Sequence, residues 1–446
     1  MGKTKSLIEK ILVEIARVLL GATFIFSGFV KSIDPLGTAY KVQDYLTSFG
    51  FSDLLYLSLP ISIILCAGEL CLGIFMLFGL YRKWTSRLLF LVMLFMTPLT
   101  LYLAIANPVK DCGCFGDALI ITNWETFFKN IVLMACSVAT LLWYERITNL
   151  FTGKFYWLVS LYIIICGIVF CIYNTSNEPM IDFRPYKIGA DIPKLMTVEG
   201  DKAPVYENTF IYEKDGVKKE FTEDNYPWED STWVFVDRYN KVIKEGEEPV
   251  IHDFSINRLY LNRQKTKIEA EEDITNEVLT DINYTFLMIA YSLPEMRINN
   301  LGNFEDVNNY AKDYGYKFYC LTSSPRDTIL SQENKNITNF DYCLTDERTL
   351  KTITRSNPGL LLIKNGVIIN KWGDKDVPEE RMLNKPIEKL SVGHPEKDNF
   401  PNTRDITKII LLFFVPLVIV KILDALLYHR KSVAPTEIKE PEENKN

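Results

Sequence analysis

Cys112 and Cys114 flank one glycine in the stretch Lys110-Asp111-Cys112-Gly113-Cys114-Phe115-Gly116-Asp117. Two thiols this close can exchange with another disulfide, staple a turn, or help to ligate a metal. A tetrahedral metal site wants four ligands. The chain has no second cysteine pair of this spacing, and its three histidines, His252, His394 and His429, lie outside the apolar runs. Metal chemistry is the weakest of the three readings. A Cys-x-Cys disulfide ring is small and strained, and strained, exposed disulfides are the labile, more oxidising ones. Gly113 supplies the backbone freedom such a ring needs. Redox chemistry at Cys112 and Cys114 therefore leads, with an inert structural pair as the alternative. The charge of Lys110 favours a thiolate, whereas Asp111 and Asp117 oppose it.

Elements that position this loop follow from hydropathy. The loop lies between two apolar runs, 85–106 and 126–144, and six runs in all (11–30, 54–80, 86–106, 126–144, 155–174 and 405–428) are long enough to cross a bilayer as helices. The first lacks a small-x-small cleavage site and is expected to remain as a helix. Lys3, Lys5, Lys10, Arg82, Lys83, Arg87, Arg146, Lys154, Arg430 and Lys431 fall on one side if all six runs span. That side is expected to be cytoplasmic, with both termini. The Cys112/Cys114 loop and the long polar stretch from about 175 to 403 then share the outer, oxidising face of the inner membrane, where a disulfide persists.

Ionisable residues inside the spans are functional candidates. Arg17 and Glu69 come to similar depths when counted from the cytoplasmic helix ends, which suggests a buried pair that either glues two helices or serves proton or quinone chemistry. Cys66 and Cys71, and likewise Cys166 and Cys171, are five apart and read as small packing residues.

The 446 residues carry a net charge of -7 and no basic stripe, which argues against a nucleic-acid partner. The polar stretch divides in two. A β-rich segment, 177–274, includes a hairpin of Thr209–Lys214 and Val217–Thr222 around Asp215-Gly216, with a second hairpin expected from Trp233–Asp237 and Lys241–Lys244. In 275–392 the order is strand (Tyr284–Ala290), helix (Phe304–Tyr314), strand (Lys317–Thr322), helix (Asp346–Arg355), then a hairpin of Leu360–Lys364 and Val367–Trp372 about Asn365-Gly366. Cys320 and Cys343 are either core residues of separate strands or a disulfide.

Two resemblances bear on this plan. Residues 11–150 resemble the DoxX/MauE group of small four-helix membrane proteins. The matching residues are Arg17, Gly21, Phe24, Ser27-Gly28, Lys31, Asp34-Pro35, Lys41, Glu69, Gly73, Gly79 and Asp111-Cys112-Gly113-Cys114-Phe115-Gly116. The MauE branch is associated with disulfide formation in a periplasmic partner, and DoxX with thiosulfate:quinone oxidoreduction. The resemblance implies a redox-associated membrane protein, not methylamine metabolism. Residues 275–392 resemble a thioredoxin-like domain, with Pro358 at the family's cis-proline position. Tyr291-Ser292-Leu293-Pro294-Glu295-Met296 stands where the family carries Cys-x-x-Cys, so this domain can bind an extended partner beside Pro358 but cannot exchange disulfides by the usual route.

The expected architecture is a DoxX/MauE-like four-helix membrane domain (1–150), a fifth transmembrane helix (151–176), the β-rich outer segment (177–274), the thioredoxin-like domain (275–392), a linker (393–404), a sixth transmembrane helix (405–428) and a disordered cytoplasmic tail (429–446). The leading functional expectation is thiol–disulfide exchange with an extracytoplasmic protein, catalysed by Cys112 and Cys114, with a bilayer quinone as the simplest electron acceptor and lipid as the surrounding partner. A non-enzymatic assembly protein with structural cysteines is the competing expectation. A solute transporter fits six helices but lacks inverted repeats.

Overall fold

Close backbone approach sets how the first helices meet. Helix α1 (Gly2–Ile33) packs along α3 (Ser58–Phe78), and a Cβ added at Gly28 would lie 2.3 Å from the Leu70 backbone nitrogen. The reciprocal position is Gly73, where an added Cβ would lie 2.6 Å from the Ile25 nitrogen. Small residues are what let helices touch where lipid supplies no hydrophobic drive. Between them runs α2 (Pro35–Ser48), which the hydropathy reading does not anticipate. Its start is chemically marked: Asp34 caps it by accepting from the Gly37 amide at 2.9 Å, and Pro35 occupies the first turn.

The computed structural model describes residues 2–107, 112–198, 205–214, 217–222, 227, 232–244, 246, 248–252, 254–262, 264, 266–334, 340–394 and 403–433. They form two compact units, 1–184 with 398–446, and 185–397. Among the described residues six helices are long and apolar enough to cross a membrane, and the protein is a multi-pass membrane protein. Helices α4 (Arg82–Ala106), α5 (Asn123–Leu142) and α6 (Tyr156–Ser176) follow α3, and a last helix, Thr403–Val433, closes the first unit. That helix lies against α6: Tyr162 donates to the Leu412 carbonyl at 2.5 Å, and Asp424 accepts from the Thr152 amide at 2.9 Å.

α6 ends beside the C-terminal end of α1, where the Asn174 side chain donates to the Ser32 carbonyl at 3.0 Å. Arg184, buried there, holds Asp182 at 2.7 Å and Glu178 at 2.9 Å.

The second unit has two sheets. A three-stranded one, in the order β2-β1-β3, comprises β1 (Val205–Lys214), β2 (Val217–Thr222) and β3 (Val234–Lys244), after the short α7 (Ile192–Leu195). The expected β1–β2 hairpin forms, though its turn, Asp215-Gly216, lies outside the described residues. The second expected hairpin does not. Residues 234–244 are one strand paired along β1, from Val205↔Lys244 to Glu213↔Val234, because β1 is long enough to template both halves.

The larger sheet has seven strands in the order β10-β9-β6-β7-β8-β4-β5. Its members are β4 (Asn257–Leu261), β5 (Ile268–Asp273), β6 (Tyr284–Ile289), β7 (Lys317–Thr322), β8 (Tyr342–Leu344), β9 (Gly359–Lys364) and β10 (Val367–Gly373). Strands β6, β7 and β8 are parallel, and β9 and β10 return antiparallel. Helices α8 (Thr275–Leu279), α9 (Leu301–Tyr314), α10 (Arg326–Asn334) and α11 (Glu347–Ile353) cover both faces. β6 is buried at every position, as a central parallel strand must be. The boundary expected at 274/275 is not a boundary of the fold: the β4–β5 hairpin, drawn from the segment before it, pairs with β8 through Asn257↔Leu344.

Candidate functional site

Four elements meet around Cys112 and Cys114. α4 ends at Asn107, whose side-chain oxygen accepts from Asn123 Nδ2 at 2.9 Å and so ties the two sides of the loop together. α5 starts with a reciprocal capping box of Thr122 and Glu125, which fixes where the loop ends. Gly113 has φ +65°, a left-handed conformation that glycine adopts freely and that folds the two cysteines back on each other. Their sulfurs are 2.8 Å apart, and both residues are 8 % exposed. Lys110 and Asp111 lie outside the described residues.

α1 forms the floor of the site. Ser27 Oγ lies 2.7 Å from the Cys114 carbonyl and 2.6 Å from Glu69 Oε2. One hydroxyl proton thus serves two acceptors. Lys31, one turn on, donates to both Glu69 oxygens at 2.8 and 3.0 Å. Phe115 packs on Phe26 with ring centroids 5.3 Å apart, and the Lys129 ammonium sits 4.3 Å from the Phe115 ring centre. α2 is the cover: Tyr45 donates to the Cys112 carbonyl at 3.0 Å, and the Lys41 side chain lies over Gly113. Leu103 with half-buried Met96 and Leu99 completes an apolar wall against the sulfurs.

The two thiols are electrostatically unequal. The hydrogen bond from Cys112 pulls the Cys114 thiol well below the ordinary range, to about 6, helped by the positive charges of Lys129 and Lys31 and opposed by burial. That same bond, with burial and the neighbouring thiolate, pushes Cys112 upward. The arrangement therefore holds one thiolate, on Cys114, with Cys112 as its proton-bearing partner.

Three expectations need correction. Arg17 does not meet Glu69; it pairs with Glu14 at 2.9 Å and donates to the Thr148 carbonyl at 2.6 Å. Counting from helix ends misplaced it, because α1 is helical from Gly2 and Arg17 lies at the level of the loop after α5. Glu69 faces Ser27, ten residues along α1 and about 15 Å away. Cys320 and Cys343 cannot form a disulfide with each other as placed. Cys320 is opposite Tyr342, and Cys343 opposite Leu321, so the two side chains enter the cores on opposite faces of the sheet.

Pro358 is preceded by a cis peptide bond, but it is buried. The Asn357 carbonyl beside it accepts from the Arg297 amide at 2.9 Å, and Asn357 Nδ2 donates to the Ser292 carbonyl at 2.8 Å. Arg297 also reaches Asp374 at 3.1 Å. The chain's own 292–297 segment thus occupies the edge on which an extended partner was expected.

Ser27, Lys31 and Lys41 carried the family resemblance without a role; the structure gathers them at the cysteines. Sequence reasoning missed α2 altogether, although Asp34-Pro35 is a helix-start signal.

Comparison with known proteins adds four findings. Residues 206–245 match a domain of unknown function, DUF8463. A mitochondrial 2-cys peroxiredoxin from Plasmodium falciparum aligns at 13% identity over 42% of this chain and 96% of that one, with a TM-score of 0.21. No curated protein matches. Residues 9–144, which hold every side chain of the cysteine site, match the family described as methylamine utilisation protein MauE.

Proposed function

We propose that this protein is a membrane thiol–disulfide exchange protein that introduces disulfides into an extracytoplasmic protein, through Cys112 and Cys114. The observation that carries the reading is the pair itself: sulfurs 2.8 Å apart, with the thiolate on Cys114 favoured by its neighbours. A site that stabilises the thiolate stabilises the reduced pair, which makes its disulfide a good oxidant. A partner thiolate attacks Cys114 Sγ, the Cys112–Cys114 bond breaks, and Cys112 leaves and takes a proton. The partner's second thiolate then attacks the mixed disulfide, releasing Cys114 as a thiolate. The partner loses two electrons and the pair gains them. Restoring the disulfide needs a two-electron acceptor, and a bilayer quinone, which takes two electrons and two protons, is the class that suits the apolar wall of Met96, Leu99 and Leu103.

In this reading the membrane is the bacterial inner membrane and the cysteine loop faces the periplasm. The strand order β7-β6-β9-β10 supports a thioredoxin-like reading of the α/β unit, and since its own 292–297 segment covers the edge beside Pro358, it is assigned no part in exchange.

The competing reading, a structural staple in an assembly protein, draws support from the 8 % exposure of both cysteines under α2. The experiment that separates them is trapping. Cys112→Ser should accumulate a mixed disulfide on Cys114 with a partner protein in cells. A pair that never changes state on thiol labelling, together with full function of the double Ser variant, would favour the staple.

A further inference from the structure

Two more thiols lie at the same end of the helix bundle. Cys66 on α3 and Cys171 on α6 are both fully buried and pack into one cluster with Ala67. α3 and α6 run in opposite directions, so the five-residue spacings Cys66/Cys71 and Cys166/Cys171 face each other in reverse. Cys71 in turn lies against α6, 3.8 Å from the Ile163 carbonyl and 3.4 Å from where a Cβ on Gly167 would be. Read one helix at a time, the four cysteines are packing residues; read across the helices, Cys66 and Cys171 are a pair.

The surroundings of this pair are not those of an inert apolar contact. Ser62 Oγ is 3.8 Å from Cys66 Sγ, and Thr38 and Ser32 bring further hydroxyls to Cys66 and Cys171 respectively. Lys31 is an electrostatic neighbour of both Cys114 and Cys66, and its carboxylate partner Glu69 lies one helical turn from Cys66. Lys31 is thus an electrostatic neighbour of one thiol from the loop pair and one from the bundle pair.

We propose that Cys66 and Cys171 are a second redox pair that takes the disulfide from Cys112–Cys114. The inference rests on the reading of Cys112 and Cys114 as exchangeable. The Cys66 thiolate attacks Cys114 Sγ, giving a Cys66–Cys114 bond and a Cys112 thiolate. The Cys171 thiolate then attacks Cys66 Sγ, forming Cys66–Cys171 and releasing Cys114. Cys66 and Cys171 give up two protons, of which Cys112 takes one and solvent the other while Cys114 stays a thiolate, and no outside oxidant is consumed. The direction follows from strain, because a Cys112–Cys114 bond closes a small, strained ring around Gly113, whereas a Cys66–Cys171 bond joins two separate helices. The result is a bond between α3 and α6 that stores two oxidising equivalents.

The test uses the full-length protein in lipid nanodiscs, fully reduced and then treated with one equivalent of diamide, with disulfides mapped by non-reducing peptide mass spectrometry. The expected result is a Cys66–Cys171 peptide as the main cross-link, and a Cys66–Cys114 cross-link in Cys112→Ser/Cys171→Ser, where neither flanking thiol can resolve it. If all oxidation stays on Cys112–Cys114 while Cys66 and Cys171 remain alkylatable after denaturation, or if they bond to Cys71 or Cys166 instead, the proposal is overturned. Exchange at the loop is scored separately, by trapping a disulfide-containing model peptide on Cys114 of a Cys66→Ala/Cys171→Ala/Cys112→Ser variant. Trapping there without any Cys66–Cys171 bond in the unmutated protein would remove this inference and leave the loop reading intact; failure of both would remove the two together.

Discussion

Lys31 holds Glu69 through both carboxylate oxygens, at 2.8 and 3.0 Å, directly beneath the Cys114 carbonyl that Ser27 touches. This part-buried ion pair, rather than one involving Arg17, is the charged floor of the cysteine site. Lys31 lowers the Cys114 thiol and Glu69 raises it. In Lys31→Met the pH midpoint for alkylating Cys114 should therefore rise, and in Glu69→Gln it should fall. The sign is set by the thiolate: below its folded pKa, about 6, the nucleophile is protonated and labelling slows. Rates of iodoacetamide capture from mildly acid to alkaline pH in a Cys112→Ser background, which itself loses the thiol that most lowers Cys114, check both directions relative to that background. Arg17→Ala should leave that profile unmoved.

Breaking the pair from one side has a stability cost. Lys31→Met leaves half-buried Glu69 without its ammonium partner, a loss on the order of 1–3 kcal/mol. Lys31→Met/Glu69→Gln should recover much of it. Thermal unfolding in detergent of the two singles and the double measures the coupling, and additive losses would contradict the direct contact.

Tyr45 acts as a latch rather than a reactant. Its phenol donates to the Cys112 carbonyl, so Tyr45→Phe removes a bond worth roughly 1 kcal/mol. Bulky thiol reagents should then reach the pair several-fold faster, while the smallest reagents gain less. Equal gains for all sizes would mean that α2 does not gate access.

Helix contact predicts a graded glycine series. Gly28→Ala drives a methyl to within 2.3 Å of the Leu70 backbone nitrogen and should separate α1 from α3, whereas nothing lies within 4 Å of a Cβ at Gly68. Loss of folded protein in Gly28→Ala against a near-neutral Gly68→Ala, read by size-exclusion profile and melting temperature, tests this packing.

Much of this is legible in the sequence. Six apolar runs gave six helices of spanning length, and the strand–helix–strand–helix–hairpin order appears as β6, α9, β7, α11, β9 and β10. α2 does not register as a span because its residues, Lys41, Gln43 and Asp44 among them, are too polar. The Arg17–Glu69 error has a geometric source, since depth counted from helix ends ignores how far each helix projects beyond the membrane. Cys320 and Cys343 could not be placed from spacing alone, because a one-residue offset between neighbouring strands reverses the face each side chain enters. The 66/171 pairing required knowing that α3 and α6 are neighbours and antiparallel, which hydropathy does not carry.

The β4–β5 hairpin, joined to β8 from a segment far upstream, also governs how the second unit can be studied. A fragment begun at residue 275 would strip two strands from the sheet and bare the backbone of β8, inviting strand-to-strand association between molecules. One begun at residue 185 keeps that border covered.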